Sequence, residues 1–364
     1  MGISGFGTGK EGQDCIISSV SPLTGLTARA CVENDCSYLY LYQTEDADGK
    51  SVIKNMSTCW IKNHTKVGDS YSPKKDMKKG LQPKIPTKFC DFQDDMGFLD
   101  AGRLEIVWGK EGVMVSLYEG EELLCVLPYW ADNNFPGYSK YSYTSQTPMI
   151  PFPLGSPDSN ELFKRMGEAR VFWKQDFAAI WKDYQESYLA ELENRYGKLL
   201  HYYAIDGGCF PPKALAVFEE NGVRYAFTIG IGLFPQPTVE MFFDDFREHE
   251  LIELGFSYQP ATGFDEMGVL SQISSIAGIP WGSCTFLGHH HTVGLEINEQ
   301  HGNAVLVSDK SAHFAGSEFL GGHGVDLLWL VPVTGGVYEK LTAEPSDYSD
   351  VEARASASDI VYRG

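Results

Sequence analysis

The chain has 364 residues, enough for two domains of ordinary size, and its 43% hydrophobic content is that of a chain that buries cores. A formal net charge of −20 repels phosphate backbones and anionic lipid, so it argues against nucleic acid or a membrane surface as partner and for a basic protein. No run of about 18 apolar residues occurs, which excludes a spanning helix.

The segment Met1–Asp14 is glycine-rich and carries no basic stretch followed by an apolar run, so a cytoplasmic protein is expected. The eight cysteines are scattered and form no C-x-x-C pair, so they read as reduced, buried thiols. From Cys15 to Leu154 the pattern is short strands and turns. Ser37–Gln43 alternates and is rich in tyrosine, and Leu104–Trp108, Gly112–Tyr118 and Glu122–Leu127 follow as an antiparallel meander. This defines a β-rich domain of unassigned family over residues 1–155. Eight lysines lie between Lys62 and Lys88 among prolines and few large apolar residues. They read as an exposed loop, because only Tyr71 and Phe89 interleave and a base-stacking platform is missing.

Tyr129–Pro157 reads as an irregular connector. A helix then starts at a cap on Asp158 or Ser159 and runs to Gly197 with Leu162, Met166, Phe177, Tyr184, Tyr188 and Leu192 at three- and four-residue steps. It is one long connecting helix or two joined by a bend, and its aromatic stripe is expected to pack between two domains.

Val223–Leu233 is β-branched and aromatic with Gly230 and Gly232 near its end, a buried strand with a kink. Leu251–Phe256 places apolar residues among Glu250 and Glu253, a half-buried strand stopped at Pro260. Leu270, Ile273, Ile276 and Ala277 then recur at helical spacing before Gly278 and Pro280, and a Gly-His turn follows at Gly288–His291. Strand, strand and helix make the core of an α+β domain.

The order of these pieces, closed by Leu327–Tyr338 (L-L-W-L-V-P-V-T-G-G-V-Y), resembles the suppressor of fused family over roughly Tyr196 to Leu341. Three positions depart from the family pattern: Gly232 stands where serine is common, three histidines replace one, and Gly335-Gly336 replaces an acidic pair. The resemblance implies a SUFU-like α+β domain with a mixed or antiparallel sheet within residues 156–343, followed by a tail, 344–364. It also implies a non-enzymatic interaction module that sequesters or neutralises another protein. Animal members hold a transcription factor through an extended strand, and bacterial relatives are associated with toxin immunity. On this basis the partner-binding residues expected are Thr228, Gly230, Gly232, Asp244, Asp245 and Glu253.

Several other features invite a site. His289–His291 lies near Cys284, His301 and His313, but adjacent residues on a strand point to opposite faces, so three consecutive rings on a strand would not share one ion. No metal-protease or deaminase spacing occurs, and no G-x-S-x-G elbow surrounds Ser283-Cys284. The glycines of Gly316–Gly324 lack a phosphate-loop context. The expectation is therefore no catalytic residue, no metal and no cofactor. The alternative is a hydrolase or metal-dependent enzyme using the His289–His291 and Cys284 region.

Overall fold

The first half of the chain folds through tight turns that only a few residue types tolerate. Asn34 and Asp35 both take positive φ, 53° and 57°, the geometry that matches the twist of a two-residue hairpin. The computed structural model describes residues 14–47, 50–91, 97–132, 134–144, 149–261, 263–309, 324–343, 348–356 and 361–362. Two compact units divide the chain, Met1–Gln175 and Asp176–Gly364.

In the first unit, β1 (Asp14–Val20), β2 (Thr27–Glu33), β3 (Cys36–Ala47) and β4 (Lys50–Asn63) form an antiparallel four-stranded sheet in sequence order. The short helix α1 (Pro73–Met77) lies in the lysine-rich segment. A second sheet runs through β5 (Leu104–Trp108), β6 (Met114–Glu119), β7 (Glu122–Pro128), β8 (Tyr138–Ser139) and β9 (Phe152–Pro153). From Cys36 to Tyr42 strand β3 is buried on both faces, with Leu39 and Leu41 on one and Tyr38 and Tyr40 on the other.

The tyrosine face explains the lysine segment. Tyr38 donates its hydroxyl to the Pro83 carbonyl, and Asn63 accepts from Trp60 Nε1 at 3.0 Å while donating to the Ile85 carbonyl at 2.6 Å. The segment is thus an anchored cover whose lysines face outward with two exceptions, Lys84, whose side chain is 17% exposed and pairs with Asp35 at 2.8 Å, and Lys62. Lys62 belongs to β4, is buried, and sets its ammonium over the Tyr141 ring at 5.5 Å.

The expected connecting helix is two helices. The first, α2 (Leu162–Phe172), buries Met166 and Ala169 in a cluster with Val107, Tyr118 and Leu154, so it belongs to the first unit. The second, α3 (Phe177–Tyr196), opens the second unit, with Asp176 accepting from the Ala178 and Ala179 amides as N-cap. The division therefore falls between Gln175 and Asp176, whereas the sequence places it near residue 155.

The second unit is built on an eight-stranded mixed sheet. Its strands are β10 (Lys198–Ala204), β11 (Ala214–Glu220), β12 (Val223–Ile229) and β13 (Ile252–Tyr258). After α4 (Glu266–Ile276) and α5 (Ile279–Gly282) come β14 (Thr292–Gly294), β15 (Asn303–Ser308) and β16 (Asp326–Val333). Next are α6 (Gly335–Ala343), α7 (Ser349–Ser356) and β17 (Val361–Tyr362). The spatial order is β10-β11-β12-β13-β16-β15-β14, with β17 beside β13. The β13–β16 pairing is parallel, and both strands are buried along their whole length. Strand β13 is therefore not half-buried as its alternation suggests, because a parallel centre is covered on both faces.

The fold class is α+β. No helix among the described residues is long and apolar enough to cross a membrane. Two described residues of the tail, Val351 of α7 and Tyr362 of β17, are buried.

Candidate functional site

Strand β12 ends at Gly230 with φ 108°, and a Cβ there would meet the Pro212 carbonyl and the Trp181 ring at 2.6 Å. Only glycine fits. The turn that follows aims two backbone amides at one carboxylate. Gly230 and Gly232 donate to Glu253 Oε1 at 2.7 and 3.0 Å, and the Tyr184 hydroxyl donates to the same oxygen at 2.9 Å. Thr228 donates to Oε2 at 2.6 Å and accepts from the Leu254 amide at 2.7 Å. Burial pushes the Glu253 carboxyl up to about 7, and these four donors pull against that rise. Gly232 is confined as well, since a Cβ there would come within 2.7 Å of the Tyr184 hydroxyl.

Four of the six expected partner-binding residues, Thr228, Gly230, Gly232 and Glu253, thus surround one interior carboxylate and are buried. They offer no surface to a partner. Their strands are interior too, since β12 and β13 are paired on both sides. Asp244 and Asp245 are exposed in a loop, so the six residues do not form one surface.

A cleft of about 520 Å³ opens elsewhere in the second unit. Phe243, Ile252, Phe286 and Trp329 supply its apolar walls, and His249, His289, Asp309, Asp326 and Glu352 its polar ones. Such convergence of a few polar groups on an apolar hollow is the usual form of a ligand site.

The histidine run lies in a turn, not a strand. His291 donates its amide to the Gly288 carbonyl at 3.1 Å, and His290 sits at φ 69°. That left-handed step sets the consecutive rings of His289 and His290 side by side, centroids 3.7 Å apart, instead of on opposite faces. Both Nε2 atoms approach Glu352 Oε1, at 3.6 Å from His289 and 2.8 Å from His290. The ring of His290 stacks on Tyr348 at 3.9 Å with planes 3° apart. Strand β15 pins the turn, its Leu306 accepting from the His290 amide at 2.7 Å and donating to the His291 carbonyl at 2.8 Å. His289 Nδ1 accepts the Ser308 amide at 3.2 Å.

The third histidine stands apart. His291 packs against Phe286, burial holds its pKa down, and it lines a second cleft of about 610 Å³ together with His290. Cys284 is buried at φ 49°, and burial pushes its thiol up to about 11, which leaves it protonated and a poor nucleophile near neutrality. His301 bonds with Asn298, away from the cluster. His313 and most of the Gly316–Gly324 run lie outside the described residues.

Two partners in these sites are not legible as site residues in the sequence. Tyr184 is one aromatic in a stripe that reads as core. Glu352 lies in the tail, where the run Ser349–Glu352 is nonetheless a helix-start signal of the S-x-x-E form. No protein-family model matches the chain, and no curated protein does.

Proposed function

We propose that this chain is a non-enzymatic protein-binding module resembling suppressor of fused, which sequesters or neutralises a partner through an extended basic segment. In a bacterial host that role is immunity to a toxin. The observation that carries the reading is strand β10. It ends the sheet of the second unit, has no outer neighbour among the described residues, and is exposed or partly exposed at every position. Leu200 and Tyr202 are 37% and 38% exposed. Open edges are usually shielded by charge, bulges or a covering element; β10 carries one register irregularity, between Leu199 and His201, and its regular stretch His201–Ala204 is the part that can accept an added strand. A net charge of −20 steers a basic segment towards it.

The test is a scan of extended lysine- and arginine-rich peptides against wild type and a Leu200→Lys/Tyr202→Lys variant. Selection of an extended basic segment, lost in the variant at unchanged melting temperature, supports the reading. Equal binding by both proteins overturns it.

A second reading, a hydrolase or metal-dependent enzyme, is favoured by one observation, the cluster of His289, His290 and Glu352, of which His289 and Glu352 line the 520 Å³ cleft. Metal content of the purified chain, followed by turnover assays of the loaded protein, separates the two.

A further inference from the structure

We propose that His289, His290 and Glu352 form a binding site for one divalent transition-metal ion of the zinc class, placed between the two clefts of the second unit. The site goes beyond the strand-addition reading and does not depend on it.

The donor set selects the ion. Two imidazole nitrogens and one carboxylate oxygen suit zinc, cobalt and nickel, whereas magnesium and calcium prefer oxygen-rich shells and, for magnesium, retained water. One donor atom from each residue lies within 4.8 Å of the others. An ion held at about 2.0–2.2 Å from each donor would draw them to roughly 3.3 Å apart. His289 and Glu352 are 42% and 50% exposed, so their torsions are free to make that adjustment.

The support around the donors is more specific than their proximity. Adjacent histidines reach one carboxylate because His290 adopts a left-handed backbone, a conformation disfavoured for a non-glycine residue. Two backbone bonds to β15 hold the turn, and Tyr348 fixes the plane of the second ring. Strain retained where two side chains converge is the pattern of a built site. His289 and Glu352 line the 520 Å³ cleft and His290 lines the other. Three protein donors leave a fourth position for water or a ligand.

His289 Nδ1 accepts the Ser308 amide, so in the ion-free protein the ring carries its proton on Nε2. Coordination through Nε2 moves that proton to Nδ1, and the ring must then release the Ser308 amide. No net proton is lost from His289, and Ser308 becomes a reporter. His290, whose Nε2 donates to Glu352 Oε1 in the ion-free protein, likewise passes that proton to Nδ1 when it coordinates through Nε2.

The experiment titrates the full chain, stripped with chelator and dialysed, with zinc chloride by calorimetry, and follows the Ser308 amide by ¹⁵N NMR. Cobalt gives a coordination spectrum, and magnesium is the hard-ion control. Expected are one saturable zinc site per chain, a moving Ser308 amide, a visible absorption of four- or five-coordinate cobalt, and no competition from magnesium. Glu352→Gln and His290→Asn should each weaken zinc about tenfold or more. Asparagine is chosen because it tolerates the left-handed backbone, and circular dichroism verifies that both variants are folded. Absence of saturable zinc binding, affinities unchanged in both folded variants, or equal competition by magnesium would each overturn the site.

Discussion

Tyr184 of α3 donates its hydroxyl to Glu253 Oε1 of β13 at 2.9 Å, and both groups are buried. This one bond ties a helix to the central strand of the sheet. The same oxygen receives the amides of Gly230 and Gly232, so the kink that ends β12 is held by the same carboxylate. Removing the acceptor strands donors on three elements at once.

Glu253→Ala should therefore destabilise the protein severely. Each buried donor left without an acceptor costs about 1–3 kcal/mol, and four are affected. Glu219→Ala breaks a partly exposed pair with Arg224 and should cost under about 1 kcal/mol. Urea unfolding of the two variants measures the difference, and equal midpoints would refute the role given to Glu253.

The same carboxyl predicts a pH dependence. Its pKa is raised from 4.5 to about 7, so the folded protein keeps a proton that the unfolded chain releases in that window. The contribution is full below about pH 4.5, declines as pH rises through about 7, and is flat above, with a slope of at most about 1.4 kcal/mol per pH unit. Glu253→Gln removes the titration. The stability of wild type minus that of the variant should fall from about pH 5 to about pH 8. A difference that stays constant or rises would contradict the assignment.

Gly230→Ala and Gly232→Ala should each lose about 2 kcal/mol or more, the first through positive φ and contact with the Pro212 carbonyl, the second through Tyr184 and Val325. Gly294→Ala meets nothing within 4 Å and has no positive φ, so it should leave the melting temperature within a degree or two of wild type. Differential scanning calorimetry ranks the three.

Neutralising the exposed pair, Asp244→Asn with Asp245→Asn, should slow association with a selected basic peptide and flatten its salt dependence, with little change in dissociation. Stopped-flow rates at low and high salt decide it. Association unchanged by both salt and neutralisation means the acidic loop is only solvated.

Much of the secondary structure was legible without coordinates because its signal is local. The tyrosine alternation of β3, the runs of β5, β6 and β7, the kinked β12 and the apolar spacing of α4 each depend on a few neighbouring residues, and together they specify α+β. Even Gly230 announces a special backbone by its residue type alone. Tertiary structure decided what those elements face. Sheet order joins β13 to β16 across a long stretch of chain, and this pairing buries Glu253 instead of exposing it. The histidine run looked unable to converge because alternation assumes a strand. A left-handed turn at His290 removed that assumption, and α7 delivered Glu352 from 62 positions away. Periodicity carries no information about such distances, since any local pattern is compatible with many pairings, and only packing of the whole chain selects one.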